Sequence, residues 1–267
     1  MKWLMRIFGS VFSAFVYLNI LLPVLFVMVY SLNKEIFFVF PVKGWSLQWY
    51  VQAFTGGRFV EGLIVSAEVA VFTTLVAVVA GTLASLAIVR GRVPYAEAIS
   101  QFMLSPLIIP AIPLGIGLLL LYTRIGMLTG TKVTGTFWSL VIGHSVIAMP
   151  WVMRLTIASL QMTDETTEEA AASLGASPLL AFWYITIPAM KAGVLAGGIF
   201  AFVTSFSEVN ISLFLVGPQM TTLPITILNY LGFRTDPSVA AISSVVIILT
   251  TMVMLISDRM VGLNKVY

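Results

Sequence analysis

The stretch Glu169 to Pro188, EAAASLGASPLLAFWYITIP, is a polar, helix-forming segment between long apolar runs, and its reading decides the fold. Just upstream, Asp164, Glu165, Glu168 and Glu169 place acids in the first turns of an Ala-rich helix, where negative charge is favoured by the positive end of the helix dipole. Gly175 is expected to close that helix in a left-handed conformation. Ser177-Pro178 then starts another, with Ser as N-cap and Pro at the first helical position. The prediction is helix, sharp elbow, helix. The second helix, Leu179 to Ile187, is apolar and aromatic and is broken by Pro188 before the next apolar run begins near Lys191. Such an elbow, inserted into an otherwise apolar chain, is the part expected to meet a soluble partner.

The chain around it is apolar throughout: 59% of residues are hydrophobic, 9% are charged and mean hydropathy is +1.03. A water-soluble globule carries roughly a quarter of its residues as charges, so the composition implies an all-α integral membrane protein. The net charge is only +3 with no basic cluster, which assigns the lysines and arginines to membrane topology and gives no nucleic-acid surface. Cysteine is absent, which excludes disulfides, thiolate metal sites and a cysteine nucleophile. One histidine leaves no multi-histidine site, and no metal is expected.

Apolar runs at 7–31 and at about 62–89, 99–122, 137–153, 193–216 and 239–257 are each long enough to cross a hydrocarbon core of roughly 30 Å. The first run, preceded by Lys2 and Arg6, is too long for a signal peptide and lacks a small-x-small cleavage site, so it reads as a retained span. Six spans put both termini on one side. Lys2, Arg6, Arg90, Arg92, Arg154, Lys191, Arg259 and Lys265 fall on that side, against Lys34, Lys43, Arg58, Arg124, Lys132 and Arg234 opposite. The tight Arg90-Gly91-Arg92 loop tips this modest bias toward cytoplasmic termini and a cytoplasmic elbow. The segment 33–58, with Trp45, Trp49 and Tyr50, suits the outer interface. Span three carries Pro106, Pro110 and Pro113, so its hydrogen-bond ladder must be interrupted, by a bend in a packing helix or at the edge of a lined path. The small residues Gly193, Ala196, Gly197, Gly198 and Ala201 give span five a face for close helix packing. No repeat or linker divides the chain, and residues 1–267 read as a single transmembrane domain with 163–190 as its cytoplasmic segment.

Glu169-Ala170-Ala171, Gly175, Ile185, Ile187 and Pro188 match the E-A-A-x3-G-x9-I-x-L-P loop of permease subunits of binding-protein-dependent ABC importers, with Ile for Leu at one position. The chain resembles that family. Ser31-Leu32-Asn33, Gly44-Trp45-Ser46, Trp49-Tyr50, Phe137-Trp138-Ser139-Leu140 with His144 and Pro150, Gly217-Pro218 and Leu223-Pro224 extend the resemblance toward its spermidine/putrescine-type members. The resemblance implies that the elbow is the coupling segment docking on an ATPase. Glu168, Glu169, Ala170, Ala171, Gly175 and Pro188 are then the ATPase-coupling positions. It also implies an ATPase dimer, a second permease that is a distinct homologue, and a periplasmic or surface binding protein, in a bacterial plasma membrane. No G-x-x-x-x-G-K-[ST] phosphate loop occurs in the chain, so ATP would be bound and hydrolysed by the partner subunits; the chain itself is expected to be no enzyme and to hold no cofactor.

A carboxylate at membrane depth is costly and needs a partner or a function. Glu68 is placed about 12 Å inside span two and Glu208 about 22 Å along span five. Where the family usually holds two acids this chain has Ser207-Glu208, a departure that leaves the exact amine open. Glu208, Ser207, Glu68 and His144 are therefore the substrate-path candidates. Against that, each carboxylate could be protonated or hydrogen-bonded to a neighbouring helix, and a lone histidine among apolar residues is commonly bonded across helices. The functions weighed are import of a polyamine-like cation, import of another small solute such as an aminophosphonate or other amine, and a stand-alone ion-coupled secondary transporter, against which the coupling loop argues.

Overall fold

The computed structural model describes residues 2–37, 42–91, 93–163, 165–234 and 236–261. Arg92, Asp164 and Lys265 lie outside the described residues, as do the side chains of Lys2, Glu165 and Arg259. The helices are α1 (Lys2–Ser31), α2 (Gln48–Thr55), α3 (Arg58–Arg90), α4 (Ala96–Leu104), α5 (Ala111–Thr129), α6 (Phe137–Gln161), α7 (Glu165–Ser173), α8 (Pro178–Ala181), α9 (Ile187–Phe206), α10 (Ser212–Leu215), α11 (Leu223–Leu231) and α12 (Ser238–Val261). A 3₁₀ turn, Ser105–Leu107, follows α4, and a π-helical stretch, Phe182–Thr186, joins α8 to α9. Six stretches are long and apolar enough to cross a membrane: Arg6–Ser31, Arg58–Arg90, Ala111–Thr129, Phe137–Gln161, Pro178–Phe206 and Ser238–Ile256. The protein is a multi-pass, all-helical membrane protein.

Three boundaries differ from the sequence reading. Span three begins at Ala111 and not near residue 99, because the chain breaks at the 3₁₀ turn and Pro110 takes an extended conformation (ψ 134°) as the cap of α5. Pro113 is tolerated inside α5 because it falls in the first turn, where a backbone N–H has no partner to lose. Span five starts at Pro178 and ends at Phe206, before Glu208. Pro188 does not break the helix. The preceding turn widens instead: the Ile187 N–H reaches back five residues to the Phe182 carbonyl, and the helix runs through the proline.

The chain forms two compact units. One comprises Met1–Glu61 with Thr226–Thr251, the other Gly62–Ile225 with Met252–Tyr267. In the first, the short motifs after α1 close on one another. Asn33 bridges Trp45, the Lys34 N–H donates to Gly44 at 3.0 Å, and the Ser46 N–H donates to Leu32 at 2.8 Å. Trp49 is buried and its indole N–H donates to the Asn33 carbonyl at 2.6 Å, while the Tyr50 and Ser31 hydroxyls lie 2.7 Å apart. Trp45 is exposed, whereas the single donor of Trp49 is satisfied inside the clasp.

In the second unit α6 is the central element, with 56% of its spanning window buried. The small face of α9 lies directly on it. A Cβ at Gly197 would come within 2.6 Å of the Val152 Cα, and one at Gly193 would meet the Leu155 carbonyl and, at 2.7 Å, the Ser159 Cβ. Only hydrogen at those positions lets the two backbones approach this closely. On its other side α6 receives α3, whose Thr73 and Ser85 hydroxyls donate to the Val141 and Met153 carbonyls at 3.3 Å each. Val69, Leu140, Val141, Ile211 and Leu215, all fully buried, form the core below.

Candidate functional site

The elbow is built by local rules. α7 ends in a paired-hydrogen-bond cap: the Ala176 N–H donates to the Ala171 carbonyl at 3.0 Å and the Gly175 N–H to Ala172 at 2.9 Å. That geometry requires a left-handed residue, and Gly175 supplies it at φ +91°. The Ser177 hydroxyl then accepts from the Leu180 N–H at 3.3 Å, and Pro178 opens α8. Glu169, Ala170 and Gly175 are exposed, Ala171 is half-buried, and Leu174 is 90% exposed at the tip. The elbow therefore exposes an acid on α7 and an apolar side chain just past its end.

Glu168 points the other way. One carboxylate oxygen, Oε1, accepts from Arg90 Nε at 3.1 Å and from the Thr186 hydroxyl at 3.0 Å. The same guanidinium donates to the carbonyls of Leu160 at 3.3 Å and Thr163 at 3.0 Å, which lie at the end of α6 where helical partners run out. Arg90 entered the sequence reading only as a topology marker and Thr186 not at all; an arginine at one span end and a threonine in the motif carry no signal of meeting until the chain folds. Between these elements lies a groove of about 580 Å³ lined by Ala87, Arg90, Glu169, Ala172, Pro178 and Phe182, among others.

The four substrate-path candidates fall in different settings. His144 is fully buried, its Nδ1 2.9 Å from the Ser205 hydroxyl and its Nε2 2.9 Å from that of Ser212. A neutral imidazole offers one donor and one acceptor, and hydroxyls can serve as either, so a single tautomer satisfies both bonds. His144 thus ties the end of α9 to the start of α10 from α6 and has no surface facing water. Between those two ties the helix is interrupted from Ser207 to Ile211. Glu208 lies in that interruption, half-buried, and its Oε1 accepts the Ile211 N–H at 2.9 Å. Its position within span five is corrected: it lies just past the spanning helix. Ser207 is exposed, its hydroxyl donating to Val203 at 2.7 Å. Glu68 is exposed on α3, about 15 Å from Arg58 along the axis, with no hydrogen-bond or ion-pair partner among the described residues. No group of three or more metal-ligating side chains occurs among the described residues.

Comparison with known proteins bears on the fold and the class of relatives. No protein-family model matches the chain. The putrescine transport system permease protein PotI of Escherichia coli (strain K12) is 27% identical over 226 residues, covering 84% of this chain and 80% of its own. The spermidine/putrescine transport system permease protein PotC of Haemophilus influenzae is 27% identical over 256 residues, covering 96% of this chain and 97% of its own. Among solved structures, a bacterial ABC transporter involved in the import of the acidic polysaccharide alginate shares the fold with a TM-score of 0.72 at 14% identity, over 97% of this chain and 96% of its own. With the six spans and the elbow, these likenesses make the chain similar to permease subunits of ABC importers. Within that class its sequence is similar to the spermidine/putrescine type.

Proposed function

We propose that the chain is the permease through which a small organic cation of the polyamine class, delivered by a binding protein, is imported at the expense of ATP hydrolysed by partner subunits. The importer role is carried by one observation: a rigid elbow with a positive-φ glycine, closing α7 between spans four and five and presenting Glu169 and Leu174 outward. The partners that follow are an ATPase pair docked on α7, a second permease completing the path, and the binding protein on the opposite face. The basic-residue bias and the elbow together support a bacterial plasma-membrane location with both termini cytoplasmic. The chain supplies conformational change and a path, and no bond is made or broken on it.

The substrate class rests on the relatives named for putrescine and spermidine transport and on Glu208. A carboxylate in an interruption after a membrane helix stands beside the negative end of the α9 dipole, so two sources of negative potential coincide where hydration is scarce. An amine entering there exchanges water for that charge, and the attraction is stronger than in bulk solvent. Glu208→Gln keeps the shape and the bond to the Ile211 N–H while removing the charge. Uptake of labelled putrescine and spermidine by vesicles carrying the complete transporter should fall sharply, Glu208→Asp should be intermediate, and both variants should still co-purify with the ATPase. Parent-level uptake of both amines by Glu208→Gln would remove the cationic-substrate reading.

A further inference from the structure

We infer that Arg90 is a positioning residue for coupling, and that of the adjacent pair Glu168 serves as its anchor inside the permease while Glu169 presents its carboxylate outward. The proposal deepens the function above and rests on it. The observations come from four elements: three meet at the Arg90 guanidinium and the fourth at the carboxylate it holds. Arg90 ends α3; Leu160 ends α6; Glu168 belongs to the first turns of α7; Thr186 belongs to the π-helical stretch entering α9. Arg90 binds Glu168 Oε1 and the Leu160 and Thr163 carbonyls, and Thr186 binds that same oxygen. The pair is well shielded, at 15% and 25% exposure. A guanidinium can hold three acceptors at once because its donors diverge in a fixed plane; an ammonium presents a point charge without that fork.

Two consequences follow from geometry. α7 is joined covalently to the membrane spans only through a short connection to α6 and the elbow to α8, so by itself it could pivot when pushed by a closing ATPase. The Arg90 clamp removes that freedom at the helix start, where α3, α6 and the α9 stretch are all tied to α7. Movement of α7 is then delivered to three membrane helices together. Secondly, the clamp consumes the charge of Glu168, so of the two adjacent acids one anchors and the other faces out.

The test is a cycle of Arg90→Gln, Glu168→Gln and the double variant in the complete transporter, reading binding-protein-stimulated ATP hydrolysis, import per ATP hydrolysed, and ATPase co-purification. Coupling between two sites is commonly about 5- to 150-fold. Each single variant should lower import per ATP by about fivefold or more, and the double should fall no further than either single. The ATPase should remain bound in all three. Additive losses would overturn the proposal, as would a Glu168→Gln complex that loses its ATPase while Arg90→Gln keeps it, since Glu168 would then be the contact. Should Arg90→Gln fail to assemble, Arg90→Lys decides: it retains the charge without the fork and should assemble with reduced import per ATP. Full coupling in the lysine variant overturns the proposal. Loss of ATPase from every variant and from an untouched control would instead count against the importer reading itself.

Discussion

Gly175 shows how one residue can be required for backbone reasons alone. Nothing lies within 4 Å of where its Cβ would be, so space does not demand glycine; φ +91° does. Gly175→Val should strain the elbow by about 1–3 kcal/mol and lower import and substrate-stimulated ATP hydrolysis while leaving insertion in the membrane intact. Gly175→Asn, better suited to a left-handed cap, should fall less, and equal activity of the two would show that the cap is not needed. Asp236 is a second residue with a definable task. It accepts from the Tyr230 hydroxyl at 2.6 Å and from the N–H of Ser238, the first residue of α12, at 3.0 Å. Burial works to raise its pKa, but those hydrogen bonds and the Arg234 charge hold the carboxyl below its ordinary value. A depressed folded value means that the stabilisation is complete at pH above the unfolded value of about 3.9 and is lost as pH falls through the lower folded value. In thermal melts the deficit of Asp236→Asn should therefore be constant from about pH 5 upward and shrink below about pH 4. A deficit unchanged at the lowest pH would refute the ionic contribution.

At the scale of elements, the π-helical stretch Phe182–Thr186 reconciles a proline with an unbroken span. Pro188 has no N–H to return to the preceding turn, and the wider turn absorbs the mismatch. It also brings Thr186 to Glu168. Pro188→Ala restores a donor and permits ordinary α-helical register, in which one residue fewer in the turn rotates the elbow by about 100° relative to α9. Thr186 would then leave Glu168. Import should fall while the variant still inserts and assembles, and full import would show that the register of this turn does not matter. The same span shows how α9 is seated: with hydrogen at Gly193 and Gly197 its backbone reaches that of α6, a contact any larger side chain would push apart.

For the whole molecule, parity of the spans makes a direct statement about sidedness. Six spans place the loop after the first and the loop after the fourth on opposite sides. The parent has no cysteine, so single cysteines at Gly56 and Ala172, both exposed, report without background. In oriented vesicles or intact cells a membrane-impermeant maleimide should label the Gly56 position from outside only and the Ala172 position from the cytoplasm only. Labelling of both from one face would refute the topology. The same parity puts the elbow on the side of the N-terminus.

Much of this was legible in residue order because it depends on local rules. Apolar runs of about twenty residues must be helical in lipid, where each backbone group needs a partner within the segment. A glycine followed by Ser-Pro makes the same elbow in any surroundings. The resemblance to ABC importer permeases rested on the elbow motif in that context. What only the tertiary structure decided was which polar groups meet. Glu168 and Glu169 are adjacent and chemically alike, yet one is bound to Arg90, 78 residues away in sequence, and the other is exposed. His144 is fully buried with its two nitrogens at Ser205 and Ser212, 61 and 68 residues away. Glu208 was expected within a span and lies in an interruption after it. The physical reason is the same in each case: hydropathy shows that a run can cross the membrane as a helix, whereas the fate of a polar side chain is set by partners that only the packing of distant elements can bring within about 3 Å.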